Sequence, residues 1–233
     1  MKGTTATAGV EADRPPEAVG VASGAVRNGP DVPGAQLPHV LSGDDLRGLL
    51  TGEGDLGARR PGALVRLVLF FGRSLGLTAD MGRVRSLSRR WMPIGRRIVV
   101  VGGGLVGVEL AEFLAERGRA VTVLEEGEDL ATEMAHPRRW RALHEARQRG
   151  VVFQTGATIT GITTTHVEYR QGDGTHRAVA DTVVLAGGIQ PDASLGERIR
   201  EATGLDVDVI GDAATTGYIQ GAIRSGNQAA NAL

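Results

Sequence analysis

The sequence contains no cysteine. That excludes a disulfide, a cysteine-bound iron–sulfur cluster and a dithiol redox pair within the chain, so any electron transfer must run through a bound organic cofactor. Aromatic residues are only 3% of the sequence, which leaves few stacking platforms for bases. There is no surplus of one charge either. The formal net charge is −1, and without a basic excess no nucleic-acid partner is expected. Long apolar runs are also missing. The longest, near residues 63–71, contains Arg66 and is far short of the roughly 20 residues that span a bilayer. Residues 1–14 have no apolar h-region, so no signal peptide is expected there. The expected setting is the cytoplasm, with no membrane partner.

What is abundant is glycine, at 35 of 233 residues. Many sit in pairs or triplets at the ends of expected strands, where a missing side chain permits tight turns and close approach to a ligand. The hydrophobic share is 41% and the charged share 23%, ordinary values for a globular chain. The length suits one large domain or two small ones.

Along the chain, residues 1–36 read as loop-like, with one apolar run at residues 18–22 that ends in Ser23-Gly24-Ala25. A short strand is expected at residues 39–41, then a helix through residue 50 capped by Ser42 or Asp44. Residues 51–95 read as a helical insertion, with amphipathic stretches at 64–75 and 81–91. The second of these is basic, and a solvated helix face accounts for that better than a phosphate site does. From residue 96 the pattern sharpens. Residues 97–101 are a β-branched run of the kind found in buried parallel strands. Residues 105–117 have helical periodicity, with Val106, Leu110, Phe113 and Leu114 on one side. Further strands are expected at 120–124 and 151–155, with a helix from Pro137 to Arg149 between them. Three short strands follow, at 158–162, 166–170 and 176–180, with a hairpin turn at 172–174. A buried strand at 181–186 ends in Gly187-Gly188, a last strand occupies 207–210, and a helical stretch at 219–233 closes the chain.

The run Gly102-Gly103-Gly104-Leu105-Val106-Gly107 matches G-x-G-x-x-G. Alone the match is weak, since a glycine-rich strand–helix turn needs no ligand. Here a strand precedes it, a helix follows, and Glu125 stands at the end of the next strand, which is the dinucleotide context. Gly102 permits the tight turn, Gly104 admits the pyrophosphate, and Gly107 allows close helix–strand packing. The pyrophosphate would sit on the helix N-terminus, where free N–H groups and the helix dipole favour an anion. Glu125 would accept hydrogen bonds from the adenosine ribose. Glu126, Glu128 and Asp129 follow it, with no Arg or Lys before Arg138. A 2′-phosphate would be repelled there, so NAD(H) is expected over NADP(H).

The order of these motifs resembles the flavoproteins with two dinucleotide domains. The segments that carry the resemblance are the glycine fingerprint, the small meander, Val-Val-Leu-Ala-Gly-Gly-Ile-Gln-Pro-Asp and Val-Ile-Gly-Asp-Ala-Ala. The tail from Gly211 to Gly226 resembles more specifically the C-terminal part of NADH:flavin oxidoreductases, which include the 2,4-dienoyl-CoA reductases of the Old Yellow Enzyme group. The resemblance covers most of residues 18–50 and 96–233.

In that family a flavin barrel and an iron–sulfur cluster precede an FAD domain that is interrupted by the NAD(P)H domain. The resemblance therefore implies FAD beside NAD(H). It implies an FAD-ribityl contact at Asp212 and a flavin-facing helix start at Tyr218 and Ile219. It also implies cofactor crossings at Ser23-Gly24 and Gly187-Gly188, where Gly20 weakens the strand before Ser23. A turn or N-cap role for Asp212 stays open. The sequence holds one glycine fingerprint with a strand before it and a helix after it, with no first FAD fingerprint in residues 1–17 and no barrel, so a missing flavin-barrel domain or subunit is an implied partner. FAD at residues 102–107 is the less fitting alternative, because Glu109 places an acid on the first helical turn, as in the family's NAD(P)H domain. His39, His144, His166 and His176 have no metal-like spacing.

The expected fold is α/β: a Rossmann-like parallel sheet with helices on both sides and a β-meander, inserted in a partial second Rossmann-like domain. The expected divisions are 1–50 (late part of an FAD-type domain), 51–95 (insertion), 96–189 (NAD(H)-binding domain) and 190–233 (return to the FAD-type domain). The expected function is NADH binding and hydride delivery to FAD. A non-catalytic NAD-binding module or a subunit of a split flavoenzyme is the alternative.

Overall fold

The computed structural model describes residues 18–27, 31–43, 45–46, 92 and 94–232. The two helices expected at 64–75 and 81–91 fall outside the described residues. In chain order the strands are β1 (Ala18–Val21), β2 (Ala25–Arg27), β3 (Val40–Ser42), β4 (Arg97–Val101), β5 (Ala120–Leu124), β6 (Val152–Gln154), β7 (Ala157–Ile162), β8 (His166–Gln171), β9 (Gly174–Val179), β10 (Thr182–Leu185), β11 (Ile189–Pro191) and β12 (Asp206–Val209). The helices are α1 (Leu105–Ala115), α2 (His136–Gln148), α3 (Ser194–Thr203) and α4 (Tyr218–Ala232). They fall into two compact units, Gly29–Gly187 and the pair of segments Met1–Asn28 and Gly188–Leu233.

In the Gly29–Gly187 unit, five parallel strands lie in the order β3-β10-β4-β5-β6. β4 is central because four of its five residues are β-branched and fully apolar, and a strand buried on both faces has no place for polar side chains. Alternate residues of the strand point to opposite faces. Ile98 and Val100 join a core with Ala111 and Leu114 of α1 and Ala146 of α2. Val99 and Val101 join a second core with Ile162, Val167, Tyr169 and Ala178 of the antiparallel meander β7-β8-β9. Among the described residues helices cover one face and the meander covers the other; the further helices expected at 64–75 and 81–91 lie outside them. The buried face of α1 is shifted from the expected one. It consists of Gly107, Val108, Ala111 and Leu114, and Val106 is only half-buried.

β3 corrects a second expectation. Residues 1–50 were assigned together to the FAD-type portion, but Val40 and Leu41 pair with Val183 and Val184 of β10 inside the nucleotide-type sheet. Ser42 precedes the helical residues Gly43, Asp45 and Leu46, and the rest of the helix expected through residue 50 lies outside the described residues. Ser42 Oγ accepts the N–H of Asp45 at 3.1 Å, and the Asp45 carboxylate accepts the N–H of Ser42 at 2.7 Å, a reciprocal pairing that satisfies two otherwise orphan donors.

In the other unit, β1 pairs in parallel with β12, and β2 pairs antiparallel with β11. Gly20 does not break β1, where it pairs with Asp208 and faces open space. Sequence reading missed β2, β11 and α3. The signals for α3 were present: Asp192 Oδ1 accepts the N–H of Ser194 at 3.0 Å, and Gly204 ends the helix at φ +68°. α3 packs closely on β12 through Gly196, where a Cβ would come within 2.5 Å of Val209.

Candidate functional site

The site forms where β4 turns into α1. The Gly102 backbone adopts φ +104°, a region that L side chains rarely enter. Its N–H donates to the Leu124 carbonyl at 2.8 Å, which ties the turn to the end of β5. A Cβ on Gly107 would lie 1.9 Å from the Gly102 carbonyl oxygen, so only glycine lets α1 approach β4 this closely. A Cβ on Gly103 would meet Leu130 Cδ2 at 2.5 Å and Glu125 Cβ at 2.9 Å. Gly104 differs from the other three. It is the N-cap of α1, and a Cβ there would meet only the far end of the Glu133 side chain, at 2.9 Å. The N–H groups of the first turn, at Leu105, Val106 and Gly107, have no intrahelical acceptor and point out of the helix start. That is an anion cradle, and a dinucleotide pyrophosphate fits it.

Glu125 is held by backbone on every side. Its own N–H and carbonyl bond to Gln154 and Ala157. Its carboxylate Oε2 accepts from Gly103 N–H and its Oε1 from Gly127 N–H at 2.8 Å. A carboxylate has about four lone-pair sites, so two remain for the hydroxyls of a ribose. Glu126 is exposed beside Thr158, whose hydroxyl donates to it at 3.4 Å. The acidic run is not wholly uncompensated, as its sequence had implied. Arg139 reaches back from α2 to Asp129 at 2.7 Å and to the Leu130 carbonyl at 2.6 Å. Glu109, on the first turns of α1, is ion-paired with Arg138.

At the opposite side of β4, Ala186 N–H donates to the Val101 carbonyl at 2.8 Å. This sets Gly187 against Gly102, where a Cβ on Gly102 would be 3.0 Å from Gly187 N. β5 lies on one side of β4 and β10 on the other, so Gly102 and Gly187 flank the point where strand order reverses. Open α/β sheets bind ligands at such switch points. Gly188, at φ +85°, begins the other unit.

That second unit brings together the remaining expected residues except Gly188. The parallel register Val21↔Val209 puts the carboxyl ends of β1 and β12 at one edge. Ser23 and Gly24 (φ +84°) follow the first strand and Asp212 follows the second. Asp212 Oδ1 accepts the N–H groups of Gly217 at 2.8 Å and Tyr218 at 2.9 Å, capping the start of α4. Tyr218 sits at φ +53°, an uncommon backbone state for a non-glycine residue. Ile219 is 81% exposed.

Four of the five histidines have structural partners. His39 bonds the Thr163 carbonyl, His166 bonds Thr163 and Glu168, His144 stacks on Trp140 and His176 on Tyr169. Among the described residues no group of His, Asp or Glu is arranged to hold a metal ion, and no helix is long and apolar enough to cross a membrane.

Residues 57–223 match the family described as pyridine nucleotide-disulphide oxidoreductase. The chain belongs to that family. Among curated relatives it is similar to an NADH oxidase of Thermoanaerobacter brockii, 38% identical over 134 residues that are 57% of this chain and 21% of that protein. It is also similar to a bilirubin reductase of Mediterraneibacter gnavus (strain CC55_001C), 36% identical over 148 residues, 63% of this chain and 23% of that protein. Among solved structures, a 2-naphthoyl-CoA reductase complex aligns with a TM-score of 0.67 at 22% identity, over 96% of this chain and 28% of the other. The 6-hydroxypseudooxynicotine amine oxidase of Pseudomonas geniculata N1 aligns with a TM-score of 0.68 at 21% identity, over 97% and 30%. The likeness to these two is one of fold. The matched stretch is thus about a quarter of the length of these proteins.

The pyridine nucleotide-disulphide oxidoreductases are NAD(P)H-dependent flavoproteins with FAD and NAD(H) as cofactors. The glycine turn, Glu125 and the switch-point Gly187 lie together within the Gly29–Gly187 unit, Gly187 against Gly102 and Glu125 against Gly103. Sequence reading did not find Glu133, which stands at the mouth of the cradle. Nothing in the spacing of a residue 28 positions beyond Leu105 marks it as a neighbour of that N–H.

Proposed function

We propose that the Gly29–Gly187 unit binds NADH and presents it to a flavin, making this chain the electron-delivery part of a flavoprotein reductase. The observation that carries this reading is Glu125, whose carboxylate is fixed by Gly103 and Gly127 N–H groups beside the glycine cradle. Gly102, Gly103, Gly104, Leu105, Val106 and Gly107 hold the pyrophosphate, and Glu125 with Glu126 holds the adenosine ribose. Glu109, kept in place by Arg138, and Gly187 line the nicotinamide side. Glu126 and Glu128, which have no cation partner among the described residues, favour a ribose without a 2′-phosphate.

In the second unit, Ser23, Gly24, Gly188, Asp212, Tyr218 and Ile219 contribute to an FAD site. When bound, FAD supplies the hydride acceptor; the protein supplies orientation and electrostatics. The N-terminus of α4, aimed by its Asp212 cap, favours negative charge on a cofactor edge. The resemblance to NADH:flavin oxidoreductases of the dienoyl-CoA reductase kind supports a further domain or subunit that reduces the final substrate, and so does the quarter-length match to the relatives. The test is to supply FAD and NADH to the 233-residue chain and follow the visible flavin spectrum. Bleaching by NADH faster than free FAD shows is expected. NADH binding without bleaching would favour a non-catalytic NAD module.

A further inference from the structure

The carboxylate of Glu133 stands where the reading above puts the pyrophosphate. Leu105 N–H, the first donor of α1, gives its hydrogen bond to Glu133 Oε2 at 3.2 Å. The other oxygen, Oε1, lies 2.9 Å from the position of a Cβ on Gly104. The loop that carries Glu133 is firmly anchored. Ala131, at φ +47°, donates its N–H to the Gly103 carbonyl at 2.8 Å, and Met134 N–H closes onto the Ala131 carbonyl at 3.0 Å. Leu130, Ala131 and Met134 are buried against Val108 of α1. The backbone therefore delivers Glu133 to the helix start, where its side chain is exposed.

We propose that Glu133 is a built-in competitor of the dinucleotide pyrophosphate, occupying the anion cradle until NADH displaces it. This rests on the reading of residues 102–107 as the pyrophosphate subsite. A carboxylate on a helix N-terminus satisfies the free N–H groups and the helix dipole, the same interactions a phosphate would take. Both cannot hold Leu105 N–H at once. Bound dinucleotide must also sit near a displaced anion, so the residue lowers affinity and speeds release, which suits a site that must exchange NAD+ for NADH at each turnover.

The experiment compares the full 233-residue chain with Glu133→Ala and Glu133→Gln. NADH affinity is measured by calorimetry, and the thermal shift caused by inorganic pyrophosphate is measured in parallel. Both variants should bind NADH roughly three- to thirtyfold more tightly than the native chain, a range set by the strength of anion–helix interactions. Without ligand they should melt slightly lower, because α1 loses a cap, and pyrophosphate should stabilise them more than it stabilises the native chain. A purely structural anchor would weaken binding on removal. Unchanged or weaker NADH affinity in the variants, with the native chain binding, overturns the competitor role alone. A native chain and variants that are folded by circular dichroism yet bind neither NADH nor pyrophosphate overturn the nucleotide-site reading, and the competitor role with it.

Discussion

Glu125 and Gly103 lie 22 positions apart in sequence and are joined by a hydrogen bond from the glycine N–H to the carboxylate. This bond closes the loop after β4 onto the end of β5, and it aims the carboxylate that is proposed to read the ribose. The pairing has a cost for any substitute at 125, because the Gly103 and Gly127 N–H groups both need an acceptor there.

Glu125→Ala should weaken NADH binding by about 1–3 kcal/mol, the range for losing charge-assisted hydrogen bonds. Titration calorimetry of the native chain should also show NADH bound more tightly than NADPH. Equal affinity for the two nucleotides would remove the argument built on Glu125, Glu126 and Glu128.

Gly104→Val and Gly107→Val should separate binding from folding. At 104 a side chain meets only the flexible end of Glu133, so the variant should fold normally and lose NADH. At 107 it meets the Gly102 carbonyl at 1.9 Å, backbone that cannot step aside. That variant should lose about 3 kcal/mol of stability or more. Circular dichroism melts with a binding assay on both variants check the contrast.

The link between the starts of β4 and β10 should make stability fall in strong acid. Asp181 hydrogen-bonds the Arg97 guanidinium and accepts the Arg97 N–H at 2.9 Å. The Arg97 side chain, then its N–H, pulls the carboxyl from 3.8 down to about 2. A depressed folded pKa means the contribution is complete above about pH 4, fades as pH falls toward 2, and is absent below that. Both side chains are partly exposed, at 56% and 31%, so solvent screening limits the effect to about 0.5–1 kcal/mol. Asp181→Asn should lower the melting temperature by a few degrees at pH 7. The gap between the two proteins should close as pH approaches 2; a gap that persists there would refute the assignment.

α4 has no buried residue, and Ile219 and Ile223 are 81% and 68% exposed four positions apart on one face. Uncovered apolar stripes of this kind drive association. The 233-residue chain should therefore self-associate at micromolar concentration, and Ile219→Glu with Ile223→Glu should shift it toward monomer in light scattering after size exclusion. A native chain that is strictly monomeric would show that the stripe is inert.

The purified 233-residue chain should carry well under one FAD per protein. Its G-x-G-x-x-G that follows a β-branched run and opens a helix, at residues 102–107, is assigned to NADH; the same spacing at Gly52, Gly54 and Gly57 follows no β-branched run and carries two acids, Glu53 and Asp55. Without a second cradle, the phosphates of FAD lack the backbone donors that offset their desolvation. A yellow preparation with stoichiometric flavin would contradict this.

The sequence alone determined the features that depend on near neighbours along the chain. The β-branched run of β4, the glycine turn, the helix after it and the acid at the end of β5 form a contiguous stretch, and each has a local steric or electrostatic reason that is visible residue by residue. The Ser42 cap, the Pro137 helix start and the meander strands were legible on the same grounds. Three-residue strands such as β2 and β11 were not, because so short a run carries no periodicity. Periodicity shows that a face is buried but not what buries it. The packing of the meander on the second face of the sheet was therefore decided by tertiary structure, and so was the pairing of β3 with β10. The same holds for the long side chains. Arg138 on Glu109, Arg139 on Asp129 and Glu133 on Leu105 N–H are contacts across 29, 10 and 28 positions. Only the folded backbone brings such charges within hydrogen-bonding distance, and there the acid that faces the anion cradle proved to be Glu133, from a loop that the linear pattern left unmarked.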